Sequence, residues 1–222
     1  MLKIHDLSFS YGKKQVLRNF SLQINNGEIV AVMGASGCGK STLLQLIAGL
    51  LTPTSGKIEH DLHGISYAFQ EPRLFPWLTV EENLKAVLSK DQADADQIIS
   101  RALETVELSD SKCLYPDSLS GGMKSRASLA RALTFGGELF LLDEPFAGID
   151  PIAVNDIKTM VGKLTQRGIG VLITDHNVRD TLEITNRAII ISSGQIVAQG
   201  SQQEILQSEV ARKIYLGEEF KM

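Results

Sequence analysis

Two cysteines in 222 residues, Cys38 and Cys113, are too few for a disulfide framework, which excludes a stapled secreted scaffold and leaves both thiols reduced. There is no long basic run either. Against 26 Asp and Glu stand 22 Lys and Arg, a net charge of −4, and this argues against nucleic acid as a partner, because neutralising phosphates takes clustered cations. Apolar stretches such as Leu43 to Leu51 and Leu139 to Leu142 fall far short of the ~18 residues that span a bilayer, and no secretory signal precedes Leu2. A soluble, cytoplasmic chain is expected. Internal repeats and low-complexity linkers are absent, and 43% hydrophobic content supports one compact unit over residues 1–222.

What is there begins with residues 34 to 42, Gly-Ala-Ser-Gly-Cys-Gly-Lys-Ser-Thr, between the strand-like run Glu28 to Met33 and the apolar helix Leu43 to Leu51. That context marks a phosphate-binding loop for a nucleoside triphosphate. Gly34, Gly37 and Gly39 let the backbone wrap phosphate oxygens, with Ala35, Ser36, Cys38 and Thr42 completing the loop at the positive end of a helix dipole. Lys40 reaches the β and γ phosphates, and the Ser41 hydroxyl ligates Mg²⁺. Cys38 sits among those dipoles beside Lys40, which predicts a lowered thiol pKa and protection by bound ATP.

A second element is Glu138 to Glu144, an apolar strand that delivers two carboxylates at its C-terminal end, where open α/β sheets bind ligands. Asp143 is placed to hold Mg²⁺. Glu144, one residue on and facing the other way, is placed to orient or deprotonate an attacking water. A third element, Leu119-Ser-Gly-Gly-Met123, reads as a helix start capped by Ser120, and the same Ser120, Gly121 and Gly122 form a second anion site.

The elements around these motifs follow from periodicity. Alternating apolar residues from Ile4 to Ile24, broken at Tyr11 to Lys14, predict antiparallel strands, and Lys57 to Glu59 and Ile65 to Phe69 predict two more. Helical spacing runs from Leu78 to Leu114, opened by the capping box Thr79 to Glu82. Strand and helix then alternate: Phe140 to Leu142, a helix at Asp150-Pro151, Gly170 to Thr174, a hairpin about Ser193-Gly194, and a helix capped by Ser201. The fold class is α/β, a P-loop NTPase with a mainly parallel sheet core, an N-terminal antiparallel β subdomain and an inserted helical subdomain. The expected parts are residues 1–77 (antiparallel β with the phosphate loop), 78–135 (helical, with the Ser-Gly-Gly segment) and 136–222 (catalytic core).

The order phosphate loop, Gln70, Leu-Ser-Gly-Gly, Asp143-Glu144 and His176 resembles the ATP-binding cassette family over nearly the whole chain. That resemblance implies a homodimer in which each ATP lies between the phosphate loop of one copy and Ser120 to Gly122 of the other. It also implies that Tyr11 stacks on adenine, that Gln70 touches Mg²⁺ and water, that His176 contacts the γ-phosphate, and that Ala147 to Asp150 crosses the dimer interface. Without the family, Tyr11 would be an exposed turn residue and His176 a structural strand end. Met123 and Ala147 depart from the family's usual Gln and Ser, which predicts little loss of binding and softer coupling between the two sites.

The halves resemble different members. Phe69 to Leu84, with Tyr115-Pro116 and Met123, is similar to ATPases of nitrate, sulfonate and taurine importers. Leu142 to Ile152, Gly170 to Arg179 and the tail Ile214 to Phe220 are similar to the lipopolysaccharide export ATPase, which suggests a hybrid joined near Gly136-Gly137. The resemblance places a transmembrane permease subunit between Gln70 and the helical insertion, along Arg73 to Asn83, and so places the chain on the cytoplasmic face of the inner membrane. Phe75, Pro76 and Trp77 there suit an interface, though a local cluster under the insertion would use the same residues. Partner choice therefore favours the importer reading, with lipid export as the alternative; a soluble non-transport cassette and a simple phosphate-loop kinase are the further competitors.

Overall fold

Strand polarity sorts the chain into two sheets in the computed structural model, which describes residues 1–217. The part of the C-terminal resemblance at Glu218 to Phe220 lies outside the described residues. β1 (Leu2–Tyr11) and β2 (Lys14–Ile24) make the expected hairpin, its two-residue turn opened by Gly12 at φ 58°, and β4 (Ser55–His60) adds antiparallel on the other side of β1.

The second sheet has the order β5-β6-β7-β3-β8-β9. β3 (Ile29–Met33), β5 (Ile65–Ala68), β6 (Leu139–Asp143), β7 (Gly170–Thr174) and β8 (Arg187–Ser192) run parallel, and β9 (Gln195–Gly200) returns antiparallel through the hairpin at Ser193-Gly194. Residues 1–77 are therefore shared between the sheets. β4 is polar and mostly exposed, fit for an edge; β5 is more apolar and pairs with β6, while β3 and the loop after it occupy the middle of the parallel sheet.

The central strands read as continuous apolar runs because both faces of the sheet are covered. Side chains alternate, so Ala31, Met33, Phe140, Leu142, Val171, Ile173, Ala188 and Ile190 enter one core, and Val30, Val32, Leu139, Leu141, Leu172, Ile189 and Ile191 enter the other. The first core packs α2 (Val80–Lys85), α3 (Ala95–Thr105), α4 (Gly121–Phe135) and α5 (Pro151–Gln166); the second packs α1 (Lys40–Ile47) and the antiparallel sheet.

Caps fall where the sequence puts them. Thr79 and Glu82 close a full capping box on α2, Asp150 accepts from the N–H groups of Ile152 and Ala153 ahead of Pro151, and Ser201 with Glu204 caps α7 (Gln202–Gln207). α6 (Val178–Ile184) packs beside α5, where Lys158 joins Asp180 and Glu183 at 2.6 and 2.5 Å. α7 is not the last helical element. α8 (Glu209–Ala211) follows and passes into a π-helical turn at Arg212–Leu216.

Candidate functional site

β3 ends at Met33 and the chain turns through the glycine loop into α1. Gly34 sits at φ 154°, and a Cβ there would lie 2.3 Å from the Ile191 carbonyl oxygen, so only glycine lets the loop cross the end of β8. Gly39, at φ 111°, precedes α1 without a side-chain cap, and no acidic residue occupies the first turn, which keeps that positive helix end for an anion. Lys40 is buried to 6% exposure; its Nζ donates to the Gly34 carbonyl at 3.0 Å and lies 3.9 Å from Glu144 Oε1.

Parallel pairing carries the other half of the site to this loop. Asp143, at the end of β6 and 5% exposed, accepts from Ser41 Oγ at 3.0 Å, from Thr174 Oγ1 at 2.7 Å and from Tyr67 OH at 3.0 Å. Ser41 and Asp143 are 102 residues apart in sequence and share one locus. Burial, and then the Asp143 charge, push the Tyr67 phenol far above its ordinary range, so it stays a donor to that carboxylate. A hydroxyl and a carboxylate oxygen suit Mg²⁺, which takes few protein ligands and fills the rest of its shell with phosphate oxygens and water. Among the described residues no group of three or more His, Cys, Asp or Glu could hold a metal ion.

Glu144 lies just beyond the strand with left-handed backbone, φ 49°. Its N–H donates to the Thr174 carbonyl at 2.7 Å, and its Oε2 accepts from Gln70 Nε2 at 2.9 Å. His176 Nδ1 lies 3.5 Å from the same oxygen. β7 stops at Thr174, so His176 stands two residues past the strand, and it is 64% exposed. Gln70, Lys40, Glu144 and His176 thus converge.

Three residues of this cluster carry no role in the motif reading. Thr174 and Tyr67 hold Asp143 as described. Asp175, fully buried, accepts from the N–H of Phe146 at 2.9 Å and of Asn177 at 2.8 Å, fixing the turn after Glu144 and the turn after His176 together. Burial raises its pKa, and those two N–H groups partly offset the rise. The signal was an acid next to a histidine at the end of an apolar strand.

Other expected residues sit apart. Tyr11 ends β1, half exposed, edge-on to Phe9 with centroids 4.8 Å apart. Val16 and Leu17 of the same hairpin lie against Gly39 of the phosphate loop. Ser120 caps α4 through the Met123 N–H at 3.2 Å, and Gly122 faces Asp150 and Ala153. Among the described residues no hydrogen bond or ion pair joins Ser120–Gly122 to the phosphate loop. The Cys38 expectation is reversed: burial raises its thiol pKa, and Lys40 and the loop N–H groups offset only part of that.

A second surface lies beside Gln70. Arg131 of α4 donates to the carbonyls of Arg73 and Pro72 at 2.8 and 3.0 Å, and the Arg73 guanidinium lies 4.2 Å from the Phe69 ring centroid. Asn83, fully buried, bonds to the N–H and carbonyl of Phe75 and to the carbonyls of Leu78 and Thr79. These bonds hold Phe75 at 40% and Trp77 at 70% exposure, as a presented apolar surface.

Comparison with known proteins agrees with this geometry. A family model described as ABC transporter matches residues 17–147. The lipopolysaccharide export system ATP-binding protein LptB of Haemophilus influenzae is 40% identical over 243 aligned positions, covering 100% of this chain and 99% of the relative. The protein of the same name from Escherichia coli K12 is 42% identical over 241 positions, with 100% and 99% covered. A dimeric structure of an ATP-binding cassette in a post-hydrolysis state, bound to ADP and Pi, is 26% identical and has a TM-score of 0.83 over 91% of this chain and 99% of that one. A nucleotide-free ATP-binding cassette from an ABC transporter is 26% identical, with a TM-score of 0.87 over 98% of this chain and 99% of that one.

These relatives favour the export alternative over the importer reading. They run the length of the chain on both sides of Gly136, whereas the importer likeness rests chiefly on Phe69 to Leu84, much of it a surface loop. Loops vary faster than the elements they connect and are poor witnesses to descent.

Proposed function

This chain belongs to the ABC transporter family, and from that premise we propose that it is the ATP-hydrolysing subunit of a lipopolysaccharide or lipid exporter, paired with a second copy around two ATP. The export reading rests on full-length relatives at 40 and 42% identity that carry that name. As an ABC ATPase the chain binds and hydrolyses ATP; the assignment of roles below rests on the cluster about Asp143 and Glu144.

The loop Gly34 to Thr42 wraps the phosphates, and Lys40 leaves the Gly34 carbonyl to neutralise the β and γ oxygens. Ser41 and Asp143, with Gln70 nearby, would hold Mg²⁺, which supplies charge neutralisation on the phosphate oxygens when bound. Glu144 is the base that orients water, held by Gln70 and flanked by His176. Tyr11 offers its ring to adenine from the edge of the loop. Ser120, Gly121 and Gly122 read the phosphates of the partner's nucleotide, a role that fits an anion site with no bond to the phosphate loop of its own chain among the described residues. A transmembrane subunit docks on Phe75, Trp77 and the groove toward Gln70, on the cytoplasmic face; among the described residues no helix of this chain is long and apolar enough to cross a membrane.

The observation that carries the hydrolytic assignment is the left-handed turn that aims Glu144 at Gln70 and His176 while Asp143 stays with Ser41. Glu144→Gln keeps the shape and removes the base. Turnover of Mg-ATP, followed by phosphate release, should fall by ~10²–10⁴ with nucleotide binding intact. Unchanged turnover would overturn the role given to Glu144. For the export reading, co-purification should recover a membrane subunit that extracts lipid, and recovery of a solute permease would restore the importer.

A further inference from the structure

At the opposite end of β6 and β7 from Asp143 and Thr174, a groove opens between α3, the end of α4 and α5. It encloses about 240 Å³, just under the ~300–1,000 Å³ of drug-sized ligand sites and roomy enough for one slender chain. Its floor is apolar: Leu133, Phe140, Met160 and Leu164 come from the main core, and Ile98 and Ile169 form the walls. Arg101, Lys163 and Arg167 line it, and no carboxylate does.

The chain is acidic overall, and on the neighbouring faces Lys158 pairs with Asp180 and Glu183, and Arg126 with Asp156. Arg101, Lys163 and Arg167 make no ion pair among the described residues. Glu104, the next acid along α3, bonds instead to Ser100 at 3.1 Å. Three unmatched cations around an apolar trough attract one kind of occupant, an apolar chain ending in an anion.

We propose that this groove binds a single-chain anionic amphiphile, its tail along Phe140, Met160 and Leu164 and its head among Arg101, Lys163 and Arg167. The site is separate from the nucleotide cluster. It nonetheless touches Gly136-Gly137, the link from α4 to β6, so an occupant bridges the helical insertion and the strand that carries Asp143.

Calorimetric titration of the full chain with dodecanoate, below its micellar concentration, tests this. One equivalent should bind at tens of micromolar, with dodecyl maltoside, of equal tail and no charge, at least tenfold weaker. Arg101→Glu with Lys163→Glu and Arg167→Glu should lose at least tenfold in dodecanoate affinity. Thr105→Phe, which fills the wall, should weaken dodecanoate and maltoside alike. Circular dichroism and ATP turnover verify that each variant folds. Equal binding of dodecanoate to wild type and the charge-reversed variant would overturn the proposal, as would no binding to wild type, or binding of an acidic helical peptide in its place.

Discussion

Glu144 occupies backbone that costs a non-glycine residue about 1–2 kcal/mol, and the surroundings over-determine it through the Thr174 carbonyl above and Asp175 behind. A strand alone would have placed two successive carboxylates on opposite faces of the sheet; beyond the strand, the left-handed turn leaves Asp143 with Ser41 and Glu144 with Gln70 and His176. Cys38 shows the same dependence on surroundings with the opposite outcome. Its thiolate is disfavoured by burial more than Lys40 favours it, so the thiol stays protonated further up the pH scale than a free one. Iodoacetamide labelling of Cys38 should therefore rise at a higher pH than labelling of a cysteine peptide. Mg-ATP should slow it further at every pH; equal rates with and without nucleotide would put Cys38 outside the bound loop.

At the scale of elements, caps and clasps decide where the working surfaces lie. Asp150 ends the Ala147 to Asp150 loop and caps α5, and the Ala153 N–H is the chief cause of its lowered carboxyl pKa. A depressed carboxyl pKa contributes stability above the unfolded value and loses it as pH falls through the folded one. Thermal melts of Asp150→Ala should thus show a deficit at pH 7 that shrinks below the ordinary carboxylate range; a deficit unchanged at low pH would mean the cap acts without its charge. Asn83 clasps Phe75 through Thr79, so Asn83→Ala should cost ~1–3 kcal/mol in denaturant melts by orphaning buried carbonyls, and loosen Trp77. Caps were legible because Thr79, Asp150 and Ser201 act on neighbours three residues away. The clasp was not, since nothing local distinguishes a buried Asn from an exposed one on α2.

For the whole molecule, the phosphate loop and the Ser120 turn belong to different sites unless two chains meet. Glu144→Gln with Mg-ATP should elute from size exclusion at twice the mass of the nucleotide-free chain, and Ser120→Arg should return it to the monomer position; a monomer throughout would remove the shared-site arrangement. The parallel sheet was legible from its uninterrupted apolar strands, and the phosphate loop from its glycines. The sheet to which each of β4 and β5 belongs was not, because both are short and their partners are remote in sequence, β1 upstream for β4 and β6 downstream for β5. The pairs β5–β6, β3–β7 and β3–β8 each cross Gly136, so a chain assembled from two sources at that point would have to match at three strand interfaces.

The strand order has a further consequence during synthesis. β3 lies between β7 and β8, and β5 beside β6, so every parallel neighbour of these two strands leaves the ribosome after residue 138. A nascent chain that already displays the complete phosphate loop has only the antiparallel sheet to pack it against, without its parallel neighbours and without Asp143 to meet Ser41. A product truncated before residue 138 therefore carries the phosphate loop without Asp143 or Glu144, and so without the carboxylates assigned to metal and water.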